Sequence, residues 1–163
     1  MVWDVVADAL VVQYCLGKTE AHCTDTQRLS TDRGQSWSTP VSLKPTLGAD
    51  DGVLVGPGRG LQLKSTAHGK AGRLLFCGHK QDAFAGRLSP IWTSDDHAQT
   101  YTLRASLPRG NTPPPLDKFG PDECQMAELA DGTILYDARN NWASNPAVGP
   151  HRLRSSSTDG GDR

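Results

Sequence analysis

The sequence has few aromatic residues, no long apolar run and no excess of charge of either sign. It holds four tryptophans, three tyrosines and three phenylalanines in 163 residues, and 17 basic side chains stand against 18 acidic ones. The balanced charge excludes the broad basic surface that binds nucleic acid or anionic membranes. No apolar stretch reaches the ~20 residues that a spanning helix needs, so we expect no membrane span.

The sequence also lacks any stretch that keeps a helical period for a dozen residues. With 17 glycines and 11 prolines, it is divided into short apolar segments that end at Gly, Pro, Asp or Asn, the pattern of short strands. These predicted strands are 10–14, 52–55, 60–63, 73–77 and 133–136. Asp131 and Gly132 predict a tight turn, and 108–121 predicts a long irregular connection. The composition therefore favours an all-β fold.

Four cysteines are present without any C-x-x-C pair: Cys15, Cys23, Cys77 and Cys124. Cys77 and His79 form a lone C-x-H, whereas a structural zinc site needs four ligands at set spacing. We therefore expect no metal site. In a secreted or lumenal chain Cys15 and Cys23 could close a short disulfide loop.

One short motif occurs three times at a nearly constant interval. Residues 30–37 read Ser-x-Asp-x-Gly-x-Ser-Trp, residues 94–101 repeat this order with Ala98 for Gly and Tyr101 for Trp, and a third copy begins at Ser157. The central aspartates are 64 and 63 residues apart. This spacing predicts a repeated structural unit.

The repeated motif has the chemistry of a turn between two strands. Ser and Asp side chains bond to nearby backbone amides, Gly34 permits a positive φ, and the ring at the last position is expected to pack between adjacent strands. We therefore assign a structural role, without chemistry, to Ser30, Asp32, Gly34, Trp37, Ser94, Asp96, Tyr101, Ser157 and Asp159. Short antiparallel strands repeated at a fixed period are typical of β-propeller blades.

The repeated motif is identified as an Asp box and resembles that of the sialidase (neuraminidase) family. The glycine-rich segment 56–62, the segment 121–129 and its continuation to 138–140 also resemble sialidase segments. With Cys77-Gly78-His79 and residues 94–97, the likeness is greatest to the lysosomal-type eukaryotic exo-α-sialidases. The resemblance implies a six-bladed propeller, of which residues 1–163 would form one partial domain of about three blades.

The resemblance assigns chemistry to two residues. Glu123 matches the glutamate that deprotonates a nucleophilic tyrosine, and Arg139 matches one of three arginines that bind the sugar's carboxylate. Glu128 is the competing acid, but the match places the catalytic glutamate directly before Cys124. Gln62 is a weaker candidate for the sugar pocket, and an amide that satisfies backbone groups is an equal interpretation.

These residue types suit the implied reaction. Sialic acid carries a carboxylate on its anomeric carbon, which would repel a carboxylate nucleophile, so a tyrosine activated by a neighbouring base replaces it. An arginine binds a carboxylate through two parallel hydrogen bonds. The implied reaction is retaining release of terminal sialic acid from glycoproteins, gangliosides and oligosaccharides, without a cofactor. Sialylated glycoconjugates are the implied partners.

Several residues of the family's active site have no match in this sequence. The acid/base aspartate, the nucleophilic tyrosine and the other two arginines have no counterpart, and Tyr14, Tyr101 and Tyr136 do not fit the nucleophile's motif. We therefore expect an internal fragment that is inactive by itself. The alternative is a non-catalytic Asp-box propeller that binds glycans or proteins. The resemblance implies a lysosomal or other lumenal or extracellular location, although Asp4 and Asp8 interrupt any signal-peptide pattern.

Overall fold

The computed structural model describes residues 1–17, 23–47, 53–82, 86–107, 120–140 and 151–163. Apart from one helical turn, α1 (Lys44–Leu47), its regular elements are strands joined in antiparallel pairs. In chain order they are β1 (Val2–Asp4), β2 (Ala9–Gly17), β3 (Cys23–Ser30), β4 (Val41–Ser42), β5 (Leu54–Val55), β6 (Leu61–Gln62), β7 (Leu74–Asp82), β8 (Gly86–Ser94), β9 (Thr102–Leu107), β10 (Pro121–Glu128), β11 (Ile134–Asn140) and β12 (Leu153–Ser157).

The strands form three sheets in chain order. Sheet 1 has the order β1-β2-β3-β4, and sheet 3 has the order β10-β11-β12. In sheet 2, β7, β8 and β9 are successive neighbours. The short strands β5 and β6 both pair with β7 and together form the first strand of this sheet. Each sheet is a meander of neighbouring antiparallel strands, which is the form of a propeller blade. The all-β prediction is confirmed, and the total of six blades stays a prediction.

The predicted strands lie where the short apolar segments are. Residues 10–14, 73–77 and 133–136 fall in or directly beside β2, β7 and β11, and the other two segments contain β5 and β6. The turn before β11 is also confirmed, because Asp131 Oδ1 accepts the Thr133 N–H at 2.9 Å and Gly132 has a φ of 86°. Of the predicted connection 108–121, residues 108–119 lie outside the described residues.

Strand β7 contributes to both hydrophobic cores. Leu74 and Phe76 point to the core between sheets 1 and 2, while Leu75 and Cys77 point to the core between sheets 2 and 3. The alternation follows from the two-residue period of a strand. Trp92 is fully buried in the first core. Sheet 2 is therefore covered on both faces, as expected for a blade with a neighbour on each side.

The three Asp boxes share one hydrogen-bonding scheme and each follows the third strand of its sheet. In the first box, Ser30 Oγ donates to Asp32 Oδ1 at 2.7 Å and accepts the Gly34 N–H at 2.7 Å. Asp32 Oδ1 also accepts the Ser36 N–H at 2.8 Å. Equivalent bonds to Ser94, Asp96, Ser157 and Asp159 occur in the other two boxes. The predicted structural role of these residues fits this geometry.

The aromatic residues of the boxes differ in burial. Tyr101 contacts Phe76 edge-on at 5.9 Å between ring centres, and its hydroxyl donates to Gln27 of sheet 1. Trp37 is 36% exposed, and its ring and a side chain of β2 both lie 3.7 Å from the position that a Cβ on Gly34 would occupy. The expectation that this ring packs between adjacent strands stays a prediction, whereas Tyr101 links two sheets.

A disulfide that the sequence did not indicate joins sheets 2 and 3. It connects Cys77 on β7 with Cys124 on β10, at a Cα–Cα distance of 6.3 Å. Cys15 is also disulfide-bonded, whereas the side chain of Cys23 lies outside the described residues, so the predicted Cys15–Cys23 loop stays a prediction. The bridge between Cys77 and Cys124 excludes a metal site built on the Cys77 thiolate.

Candidate functional site

Polar residues from β7, β10 and β11 meet at one edge of the sheets. In an antiparallel meander, the start of the first strand and the end of the second lie at the same edge. This rule places Asp122 and Glu123, near the start of β10, beside Arg139, near the end of β11. His79 of β7 joins them from sheet 2. The Asp boxes follow the third strands and therefore lie at the opposite edge.

Glu123 and Arg139 form a half-exposed ion pair. A register shift in the β10–β11 ladder places two residues of β10, Asp122 and Glu123, opposite the single residue Arg139 of β11. Glu123 Oε2 lies 3.5 Å from Arg139 Nη1, and the two side chains are 47% and 53% exposed. Both predicted site residues are therefore in contact with each other and accessible to a ligand.

Two buried residues lie beneath this ion pair. Asp122 is 3% exposed, and its Oδ2 lies 3.9 Å from Arg139 Nη1. Its Oδ1 lies 3.3 Å from Nε2 of His79, whose side chain is 12% exposed. The sequence indicated Asp122 and His79 only as parts of matched segments and assigned neither of them a role in the site. The signal that could have found them is their position beside Glu123 and Cys77.

Glu128, the competing acid on β10, has a structural role in the described fold. Its carboxylate accepts the backbone N–H groups of Lys64 at 2.8 Å and Ser65 at 2.9 Å. These bonds attach the segment after β6 to β10. Since Glu128 is engaged with backbone and Glu123 is open beside Arg139, the geometry agrees with the choice of Glu123 as the candidate base.

Gln62 is not part of this cluster. Its Oε1 accepts the Val5 N–H at 2.8 Å, and its Nε2 donates to Asp4 Oδ1 at 2.8 Å and to the Gly72 carbonyl at 3.2 Å. Gln62 also pairs with Leu74, five residues before His79 on β7, which corresponds to about 16 Å along a strand. The second interpretation, an amide that satisfies other groups of the fold, accounts for Gln62 here.

The glycine-rich turn between β5 and β6 packs against the strand that bears Glu123. A Cβ on Gly58 would lie 2.1 Å from the Cys124 carbonyl oxygen, so no side chain fits there. The next residue, Arg59, donates its backbone N–H to Gln125 Oε1 at 2.9 Å. The glycines of this segment thus allow a close approach of backbone to β10.

Tyr101 and Tyr136 do not have the properties of an activated nucleophile. Burial raises the pKa of Tyr136 to about 12 and raises the pKa of Tyr101 further. An activated phenol needs a lowered pKa or a base in contact. The described residues also contain no group of three or more His, Cys, Asp or Glu side chains that could hold a metal ion.

Comparison with known proteins defines the family. Residues 4–163 match the sequence profile of a family described as BNR repeat-like domain. The chain belongs to this family. Nearly the whole sequence is included in the match, in agreement with three Asp boxes that have the same hydrogen bonds.

Solved sialidase structures share the fold of this BNR repeat-like domain. The Hadza microbial sialidase Hz136 is 21% identical, with a TM-score of 0.74 over 98% of this chain. The intramolecular trans-sialidase from Ruminococcus gnavus is 23% identical, with a TM-score of 0.64 over 86% of the chain. The NanB sialidase from Streptococcus pneumoniae is 29% identical, with a TM-score of 0.62 over 87%. The structural match thus extends to several sialidases, and the expected closeness to the lysosomal type stays a prediction.

The BNR repeat-like domain spans less than a third of each of these proteins. The matched region is 30%, 25% and 18% of the three chains, respectively. No described helix has the length and apolar character required to cross a membrane.

Proposed function

We propose that this chain is part of an exo-α-sialidase, a retaining glycoside hydrolase that releases terminal sialic acid. Residues 1–163 would form one partial domain, about three blades of six. The observation that supports this most directly is the accessible Glu123–Arg139 pair, with Oε2 and Nη1 3.5 Å apart. The two residues come from adjacent strands at the edge opposite the Asp boxes. Both match sialidase motifs in sequence.

In this proposal Arg139 binds the substrate carboxylate. About half of its side chain is exposed, and Nη1 lies 3.5 Å from Glu123 Oε2 and 3.9 Å from Asp122 Oδ2. The guanidinium has five N–H donors in a planar fork, so donors remain for a bidentate contact with a carboxylate. The positive charge also attracts the anionic sugar to the site.

Glu123 acts as the base for a tyrosine supplied from beyond these 163 residues. As the phenol attacks the anomeric carbon, its proton passes to the Glu123 carboxylate, which makes the oxygen a stronger nucleophile. The bond between the anomeric carbon and the leaving-group oxygen breaks, and that oxygen takes a proton from the family's acid/base aspartate, which has no counterpart in these 163 residues. A neutral phenol avoids the repulsion that a carboxylate nucleophile would meet from the substrate carboxylate.

The proposed substrates are sialylated glycoproteins, gangliosides and oligosaccharides, and the proposed compartment is the lysosome or another lumenal or extracellular space. The disulfide between Cys77 and Cys124 supports an oxidising compartment, because disulfides persist there and are rare in the cytosol. The sialidase resemblance supports the substrate class.

The test is hydrolysis of a fluorogenic sialoside by the full-length protein that contains these residues, with the 163-residue chain assayed in parallel. We expect turnover by the full-length protein and a rate equal to the blank for the chain alone. An Arg139→Lys variant of the full-length protein should raise KM, because lysine keeps the charge and loses the planar fork.

The contrary outcomes are distinct. A correctly folded full-length protein that binds sialylated glycans and never cleaves them would favour the non-catalytic Asp-box propeller. Turnover by the 163-residue chain that disappears in Glu123→Gln would contradict the expected inactivity of the fragment. An unchanged KM in Arg139→Lys would remove Arg139 from the carboxylate site.

A further inference from the structure

We propose that Asp122 and His79 are positioning residues that fix the guanidinium of Arg139 in the orientation that binds a carboxylate. This inference rests on the proposed function. It adds two residues from different sheets, and neither of them is open enough to contact a sugar directly. Their role would be to hold the one side chain that is open.

The contacts form a chain from the interior to the exposed edge. His79 Nε2 lies 3.3 Å from Asp122 Oδ1, and Asp122 Oδ2 lies 3.9 Å from Arg139 Nη1. Glu123 Oε2 lies 3.5 Å from the same Nη1 on the solvent side. The buried carboxylate of Asp122, at 3% exposure, therefore lies within electrostatic reach of one corner of a guanidinium whose other side is open to solvent.

An arginine that is half exposed loses considerable rotamer freedom when it is fixed. Glu123 is itself 47% exposed, and a pair of exposed charges holds its geometry poorly. Asp122 is fixed by burial, so it can define where Nη1 lies. With that corner fixed, the remaining N–H groups of Arg139 are oriented before a ligand arrives, which lowers the entropic cost of binding.

His79 in turn fixes Asp122, and the disulfide aligns the two strands. On β7, Cys77 precedes His79 by two residues, and on β10, Cys124 follows Asp122 by two residues. Side chains two apart in a strand share a face, so the Cys77–Cys124 bond and the His79–Asp122 contact are successive links between sheets 2 and 3. The sheet-2 residue thereby controls a side chain of sheet 3.

The two ring nitrogens of His79 have different surroundings, which suggests a matched pair of variants. Nε2 faces Asp122, whereas Nδ1 is buried and has no hydrogen-bond partner. The Nε2–H group therefore makes the polar contact. Glutamine places an amide N–H near the position of Nε2, while leucine fills similar space without a donor. His79→Gln should retain the function of His79, and His79→Leu should lose it.

The experiment uses the full-length protein as wild type, His79→Gln, His79→Leu and Asp122→Asn. Binding is measured for an unsaturated sialic acid, 2-deoxy-2,3-didehydro-N-acetylneuraminic acid, and for its methyl ester, which lacks the carboxylate charge. We expect His79→Leu and Asp122→Asn to weaken binding of the acid about tenfold, as removal of an outer partner commonly does. His79→Gln should bind like wild type, and the ester should bind all four proteins equally.

Crystal structures of the same ligand-free proteins give a readout that does not depend on sialidase function. Arg139 should lie beside Asp122 in wild type and His79→Gln, and should be displaced or disordered in His79→Leu. If wild type binds neither compound, the proposed function fails, and the position of Arg139 alone decides the inference. If His79→Leu binds the acid like wild type with Arg139 in place, the positioning role is refuted while the proposed function stands.

Discussion

Glu123 and Glu128 show how one residue type takes two roles on one strand. The carboxylate of Glu128 accepts two backbone N–H groups from the segment after β6. The carboxylate of Glu123 is exposed beside Arg139. Composition and spacing do not separate the two acids, because both lie in the same strand-like segment. The motif indicated Glu123, and the contacts of Glu128 supply an independent physical reason for the same choice.

Asp25, a residue that the sequence did not single out, predicts an unusual pH dependence of stability. It lies on β3, it is 5% exposed, and its Oδ1 is buried without a hydrogen-bond partner. Burial raises the pKa of Asp25 to about 6. An aspartate in the unfolded chain has a pKa of ~3.9, so at a pH between these two pKa values the folded protein binds more protons than the unfolded chain. The contribution of Asp25 to the free energy of unfolding therefore rises as the pH falls from 7.5 toward 4.

The measurement is the urea unfolding free energy of wild type and Asp25→Asn between pH 7.5 and 5. The wild type should gain about 1 kcal/mol relative to the variant over this range. Asp32→Asn is the matched control: hydrogen bonds from Ser36 and Ser30 lower the pKa of Asp32 to about 2, so its contribution is lost only below about pH 4. If the unfolding free energies of wild type and Asp25→Asn changed equally with pH, the result would contradict this expectation.

Among individual residues, the sequence predicted those of the repeated motif but did not reveal the buried residues that interact across sheets. The Asp-box serines and aspartates bond within a few residues of themselves, so a local pattern reveals them. Asp122 and His79 meet across two sheets, and Asp25 is perturbed by packing against another sheet. No local spacing encodes such contacts, since they depend on how the sheets pack.

Among the elements, the second and third Asp boxes are connected to each other by a buried arginine. Arg73, at the start of β7, has a fully buried side chain. Its Nε and Nη2 donate to the Asp95 carboxylate at 2.7 and 2.8 Å, and its Nη1 donates to Asp162 Oδ1 at 2.7 Å and to the Gly160 carbonyl at 2.9 Å. Asp95 belongs to the second box, and the other two residues belong to the third.

We predict that Arg73→Met destabilises the protein by about 2 kcal/mol, because it removes a buried guanidinium from two partly exposed carboxylates and leaves a carbonyl unpaired. Arg104→Met is the control. Arg104 approaches the same two carboxylates at 3.5 and 3.6 Å but is 26% exposed, so its loss should cost under ~1 kcal/mol. Urea unfolding of both variants measures the difference, and equal losses would show that the connection between the boxes contributes little.

The strands and their repeat were predicted from the sequence more completely than the contacts that join one sheet to the next. Short apolar segments bounded by turn residues gave the strands, and the constant interval of the boxes gave the repeat. The Cys77–Cys124 bridge was missed because its cysteines are 47 residues apart in sequence.

For the whole molecule, the described part corresponds to three successive sheets of a sialidase fold. The BNR repeat-like family match covers residues 4–163, while the chain spans 30% or less of the sialidases compared above. A site that opens at the edge of several blades draws its residues from distant parts of a long sequence. The two matched residues, Glu123 and Arg139, therefore represent one section of the proposed active site.

The measurement that tests the central claim most directly compares Glu123→Gln with Glu128→Gln in the full-length protein, using kcat for a fluorogenic sialoside and the midpoint of urea unfolding. We predict that Glu123→Gln lowers kcat at least ~100-fold, as expected for loss of a general base, and leaves the midpoint unchanged. Glu128→Gln should lower the midpoint and keep kcat. A Glu123→Gln protein with wild-type kcat would contradict the assignment of Glu123 as the base.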